Sequence, residues 1–362
     1  MPTRATSPHA PAREAWLAQV SEEILEPGLP IVDAHHHLWD RPGARYLFEE
    51  FLDDTRSGHD IRATVFVQCR SMLRAAGPEA LRPVGETEFA AGVAARSASG
   101  IYGPMRACAG IVAMADLMLG DAVAPVLEAH LLAAGGRLRG IRNPTAWHAS
   151  EEVRSNPITP PPGLLTEPAF RRGAARLSGF GLSLDVWAYH TQLGEVIDLA
   201  RALPGVTMVL DHCGGPLGVG PFAGRRDEVL RAWRADMRTL AACPNVVVKL
   251  GGLAMRVGGH DFDRAPLPPT SEKLAAAWRP TIETCIELFG AARCMFESNF
   301  PVDKGMCAYP VLWNAFKRLA AGASGAEKAA LFVGTAARAY RLLDLPEGLA
   351  PDLSPRLEQQ QP

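Results

Sequence analysis

The chain has 362 residues, a formal net charge of −2, 48% hydrophobic and 21% charged residues. That balance is ordinary for a globular enzyme, and without a basic stripe neither nucleic acid nor an anionic membrane is an expected partner. No apolar run is long enough to span a bilayer. The opening MPTRATSPHAPAREAW also lacks the apolar core of a secretory signal. Seven cysteines, at 69, 108, 213, 243, 285, 294 and 307, form no C-x-x-C pair, so reduced thiols in a cytoplasmic protein are expected.

In chain order, residues 1–28 read as a tail with a short helix, closed by EPGLP. Apolar, β-branched runs then recur at 31–35, 63–68, 108–113, 138–142, 182–187, 207–211, 246–250 and 293–297. Helical patterns alternate with them at 86–97, 121–134, 167–178, 193–203, 227–242 and 271–289, and two more follow at 310–321 and 326–343. Eight strands separated by helices predict βαβ units closing into a (β/α)8 TIM barrel over 29–345, one α/β domain with extra C-terminal helices and a tail at 346–362. A doubly wound open sheet is the competing architecture, but no G-x-G-x-x-G follows the first strand. Two long irregular stretches, 145–162 and 251–269, follow strand-like runs and so fall on the face where barrels carry their sites.

The strand ends also hold the reactive side chains. In IVDAHHHLWD, strand alternation puts Asp33, His35 and His37 on one side and Ala34, His36 and Leu38 on the other. Two imidazoles at i and i+2 can converge on one cation or one substrate group, whereas His36 should pack against the helix layer. In MVLDHCGGP, His212 ends the sixth strand and supplies a third imidazole. Arg142 ends the fourth and offers a fork for a carboxylate. Lys249 ends the apolar seventh strand. It either reaches the mouth to bind a carboxylate or polarise a carbonyl, or pairs internally with a carboxylate such as Glu297. Trp147 and His148 either line the pocket or belong to a surface loop. On the eighth strand, Glu297 and Asn299 share a face and Asp303 follows a proline turn, so a general base is expected from Glu297, from Asp303 or from neither.

These motifs resemble the amidohydrolase superfamily, within it the amidohydrolase-related barrel hydrolases that include sugar lactonases and 2-pyrone-4,6-dicarboxylate lactonase. IVDAHHHLWD is similar to that branch's D-x-H-x-H-x-W opening, LDHCGGP to its sixth-strand motif, NVVVKLGGL to its seventh, FESNFPV to its eighth and GTAARAYRL to its closing helix. The resemblance implies hydrolysis of a lactone or ester, less so an amide. Water would attack a carbonyl in the barrel mouth, activated by an eighth-strand aspartate and often by a divalent metal on the H-x-H pair. For this chain it implies one metal, Zn or Mn, on His35 and His37, with a metal-free site as the second expectation. Trp39, Trp147, His190, Arg142 and Lys249 are expected at the substrate. Two departures stand out: Asn299 occupies the place of the family's aspartate, and Arg142 that of the residue bridging two metals. The working expectation is a hydrolase for a small carboxylate-bearing molecule. Its carboxylate lies on Arg142 and its carbonyl is polarised by Lys249 or a metal, with Asp303 or His212 as the base. The rivals are a decarboxylase of an aromatic acid in the same superfamily and an inactive barrel that binds a small acid. A homo-oligomer is allowed by the surface charge.

Overall fold

The architecture comes from a computed structural model that describes residues 8–342; the tail expected at 346–362 lies outside them. After the short helix α1 (Glu14–Leu17), the chain forms β1 (Pro30–His36), the hairpin β2 (Trp39–Arg41) and β3 (Ala44–Tyr46), and α2 (Phe48–Thr55). Strands and helices then alternate: β4 (Asp60–Val67), α3 (Val84–Ala98), β5 (Arg106–Ala113), α4 (Ala124–Ala133), β6 (Leu138–Ile141), α5 (Pro168–Gly179), β7 (Ser183–Val186) and α6 (Leu193–Ala202). They continue through β8 (Met208–Leu210), α7 (Arg226–Ala241), β9 (Val246–Leu250), α8 (Ser271–Phe289), β10 (Cys294–Phe296) and α9 (Tyr309–Leu319). The chain ends in α10 (Gly325–Ala329), a π turn over Ala330–Gly334 and α11 (Thr335–Ala339).

Eight strands pair in parallel in the order β1-β4-β5-β6-β7-β8-β9-β10. The two ends of this row meet. The Asn299 amide donates to the His35 carbonyl at 2.9 Å, the His37 amide donates to the Phe300 carbonyl at 2.7 Å, and His36 bridges Phe300 in parallel. The sheet is therefore a barrel, and the open doubly wound alternative does not hold. Asp33 secures the seam, its carboxylate accepting from the Ser298 amide at 2.8 Å and the Tyr309 hydroxyl at 3.0 Å.

The helices cover the barrel through apolar stripes. In α2, Phe48, Phe51, Leu52 and Thr55 are buried at helical spacing. Phe316 of α9 stacks on Phe296 of β10 with centroids 4.7 Å apart. The helix expected at 326–343 is instead broken by the π turn, which lets Phe332 meet Phe296 at 4.7 Å. His36 faces outward, stacked on Phe51 at 4.1 Å and bonded to Thr64 Oγ1 at 2.9 Å. Burial without a charged partner holds its pKa to about 3.

Candidate active site

At the carboxyl ends of the strands, one carboxylate organises two imidazoles. Glu297, just past β10, lies 2.7 Å from His212 Nδ1 and 2.8 Å from His35 Nδ1. Its pKa falls to about 2, because His212 and His35 more than offset the burial penalty. An ionised carboxylate only accepts, so His212 Nδ1 carries a proton toward Glu297, while His35 Nδ1 lies between Glu297 Oε2 and the Lys249 ammonium, 3.2 Å away. His37 is fixed the same way by its Nδ1 donating to the Val67 carbonyl at 2.7 Å. Its Nε2 then lies 3.2 Å from His35 Nε2. Burial and the Lys249 charge hold His35 to a pKa of about 4, and burial, His35 and Arg142 push His37 well down. Both rings are neutral at physiological pH, the form that ligates metals.

Beneath them runs an internal ion network. Lys249 Nζ sits 2.8 Å from Asp185 Oδ2 and 3.0 Å from Asp211 Oδ1, and all three residues are fully buried. Burial pulls the ammonium pKa down, but Asp185, Asp211 and Glu297 reverse that, so the net shift is upward. Tyr340 holds the far side by donating to Asp185 Oδ2 at 2.6 Å. Arg142 donates Nη1 to Asp211 Oδ2 at 3.1 Å and to His35 Nε2 at 3.3 Å, and Nη2 to the Gln68 carbonyl at 2.6 Å.

The expected base position is rebuilt around an amide. Asn299, at φ +53, donates Nδ2 to Asp303 Oδ1 at 2.8 Å, and the Ala254 amide donates to Oδ2 at 3.2 Å. Burial pushes the Asp303 carboxyl up to about 7, against the pull of His212 and these two hydrogen bonds. Behind His212 the close approach of β9 requires glycine. A Cβ on Gly252, at φ +64, would fall 2.2 Å from His212 Nδ1.

Beside His37 is a cavity of about 70 Å³, lined by His37, Trp39, Gln68, Arg142, Asn156 and Pro157 among others. Arg41 and Arg70 add two more guanidinium groups, and His9 reaches it from the N-terminal segment. That segment crosses the mouth as a strap. Arg13 Nη2 donates to the Asp263 carbonyl at 2.5 Å, and Trp16 Nε1 to the carbonyls of Ala265 and Pro266 at 3.2 Å each. The Ala10 carbonyl sits where a Cβ on Gly305 would come within 2.2 Å of it. Burial and the charges of Arg41, His212 and Arg256 hold His9 to a pKa of about 4.

The structure thus brings His35, His37, His212, Glu297, Asn299, Asp303, Arg142 and Trp39 to one mouth. Glu297 accepts from His212 Nδ1 and lies against His35 Nδ1, so it orients rings. Lys249 points into the barrel interior, paired with Asp185 and Asp211 and not with Glu297. Neither Trp147 nor His190 lines the cavity. The Trp147 amide donates to Gln192 Oε1 at 2.9 Å, and His190 packs edge-on against Phe222 at 4.9 Å, so both brace loops. Gln68, Arg41, Arg70 and His9 also line the cavity and belong to no motif read from the sequence. Gln68 ends the second strand run with an arginine two residues on, a signal that was present; His9 lies in what read as a tail.

A closed parallel barrel with an H-x-H pair on its first strand and a histidine ending its sixth, all at the carboxyl ends, defines an amidohydrolase-type barrel. The chain belongs to the amidohydrolase family, whose family model matches residues 32–342. It is 33% identical over 337 residues to the uncharacterized protein y4mH of Sinorhizobium fredii, covering 87% of this chain and 99% of that one. It is 30% identical over 326 residues to an L-fucono-1,5-lactonase of Burkholderia multivorans, covering 86% of this chain and 96% of the relative. Its fold is similar to the crystal structure of an amidohydrolase from Burkholderia multivorans with bound zinc. That likeness has a TM-score of 0.64 and 28% identity, over 87% of this chain and 99% of the other.

The family implies a metal, and the donor set here fits one. His35, Asp211 and His212 each offer a ligand atom, all within 4.8 Å of one another. Asp211 Oδ1 has no hydrogen-bond partner among the described residues beyond its ion pairs. The Nε2 atoms of His35 and His37 also face each other at 3.2 Å. Of the two expected ligands, His35 falls in this set, while His37 adjoins it through the 3.2 Å contact. Asp211, not among the ligands expected from sequence, completes it.

Proposed function

We propose that the protein hydrolyses a lactone of a small carboxylate-bearing molecule, with Asp303 as the general base. The observation that carries this reading is Asp303 itself, a buried carboxyl with a pKa of about 7 four residues beyond Asn299. A carboxyl tuned to neutrality takes a proton from water and gives it up again near physiological pH. The relationship to lactonases supports the choice of a lactone over an amide.

The chain's residues divide the work. Glu297 orients His212 through its Nδ1 and sits against His35 Nδ1. Asn299 holds Asp303 in place without adding a second negative charge. A divalent metal on His35, Asp211 and His212 would supply Lewis acidity toward the carbonyl and toward water. Asp303 takes the proton from water as its oxygen bonds to the carbonyl carbon. It returns that proton to the ring oxygen as the C–O bond breaks, giving a hydroxy acid. The guanidinium groups lining the cavity favour an anionic substrate.

A pH-stat panel of sugar 1,5-lactones, carboxylated lactones and aryl esters tests the reading. Lactone turnover that falls by about 10²–10⁴ in Asp303→Asn supports it. Carbon dioxide release from hydroxybenzoates without acid release from any lactone contradicts it, as does tight lactone binding without turnover.

A further inference from the structure

Three residues that line the cavity each carry a buried polar atom with no hydrogen-bond partner among the described residues: Gln68 Oε1, Asn156 Nδ2 and Arg70 Nη1. Gln68 is 3% exposed, and its Nε2 donates to the Arg142 carbonyl at 3.3 Å. A carbonyl only accepts, so that bond fixes which end of the amide is the oxygen. The remaining Oε1 is an acceptor in need of a donor. Arg70 Nη1 is a donor in need of an acceptor. Buried groups left in this state weaken the fold unless a ligand completes them.

The loop that presents Arg70 is built for the purpose. Glu86 of α3, itself buried, accepts from the amides on either side, Cys69 at 2.7 Å and Ser71 at 2.9 Å, through one oxygen. Arg70 between them is held at φ +63, a conformation a long side chain adopts only under constraint. Arg41 lies over the Trp39 ring at 4.1 Å and donates Nη2 to the Cys69 carbonyl at 2.7 Å, which ties the loop to the hairpin. Arg142, the residue expected to take a carboxylate, directs three of its five donors to Asp211, His35 and Gln68.

We propose that Gln68, Arg70 and Arg41 form a subsite for a carboxylate with a neighbouring hydroxyl, the signature of a hydroxy acid. The guanidinium groups take the carboxylate. Gln68 Oε1 repels a bare anion and accepts from a hydroxyl, so the ligand must present both groups side by side. The subsite adjoins the reacting mouth, because the preceding residue, Val67, holds His37 through its carbonyl. It deepens the proposed function and rests on that reading only for the location of the mouth. It names the group that lies beside the scissile ester: a neutral lactone satisfies Gln68 and leaves Arg70 unmatched.

Isothermal titration of the full-length protein with gluconate, lactate, butyrate, glucose and sulfate tests it without any turnover. Gluconate or lactate should bind at least about tenfold more tightly than butyrate, glucose or sulfate, a difference of about 1.4 kcal/mol. Arg70→Gln should remove most of that affinity while keeping the wild-type melting transition. Gln68→Leu should erase the preference for lactate over butyrate. If Gln68→Leu misfolds, Gln68→Glu serves, since its added charge should repel every carboxylate. Equal affinity for lactate and butyrate, sulfate binding as tight as gluconate, unchanged affinity in Arg70→Gln, or no binding of either hydroxy acid overturns the proposal. Hydroxy-acid binding without lactone turnover leaves this subsite standing and removes the hydrolase reading; turnover without that binding does the reverse.

Discussion

Glu297 is bound from two sides by rings that belong to distant strands, His35 of β1 and His212 after β8. Replacing its charge should loosen both at once. We expect Glu297→Gln to lower zinc affinity by roughly 10–100-fold, read by competition with a chromophoric chelator; unchanged affinity would mean the carboxylate does not orient the rings. Glu297 also links stability to pH. Its folded pKa of about 2 lies below the ordinary 4.5, so its contribution is present above 4.5 and is lost as pH falls toward 2. Acid titration of Glu297→Gln should therefore show a shallower loss of stability over that range. The three imidazoles were legible in the sequence because a period of two and a strand end suffice to place them. The role of Glu297 was not, because its partners become neighbours only when the barrel closes. Asp303 was readable as a candidate, yet its pKa depends on burial and on Asn299, which no motif reports.

At the level of elements, the eight strands and most helices follow from apolar periodicity, and the expected boundaries fall within a few residues of those observed. The hairpin β2–β3 was missed because three-residue strands carry too little pattern. Helix α2 was missed although Phe48, Phe51, Leu52 and Thr55 have helical spacing; its two turns sit where the first connection looked like loop. The most exacting junction is the turn after β9. Gly252 has φ +64 and leaves no room for a methyl group beside the His212 ring. Gly252→Ala should cost about 2–4 kcal/mol in urea unfolding, from overpacking together with a left-handed backbone. A neutral substitution would show that the ring moves aside freely.

Across the whole molecule, the barrel mouth is covered by a segment that precedes the family's matched region at residue 32. The strap reaches from Ala10 over Gly305 to Trp16 on the loop after β9. Its cover has a chemical reporter, because Cys69 lines the cavity and the other six cysteines are buried. Removal of residues 1–12, or Trp16→Ala, should speed alkylation of Cys69 by a maleimide at least about tenfold, as expected when a local opening becomes unnecessary. Equal rates in full-length and shortened protein would show that the strap does not close the mouth. From sequence the strap read as a tail, since its anchors are backbone carbonyls of residues about 250 positions away. Hydrolysis in this mouth turns on Asp303 acting as the base. The most direct test is the pH dependence of kcat/KM for lactone hydrolysis in the wild type and in Asp303→Asn. The wild type should gain activity as pH rises through about 7, where the carboxyl ionises, and the variant should lose that limb. A wild-type profile flat across neutrality, or the same rising limb in Asp303→Asn, would contradict it.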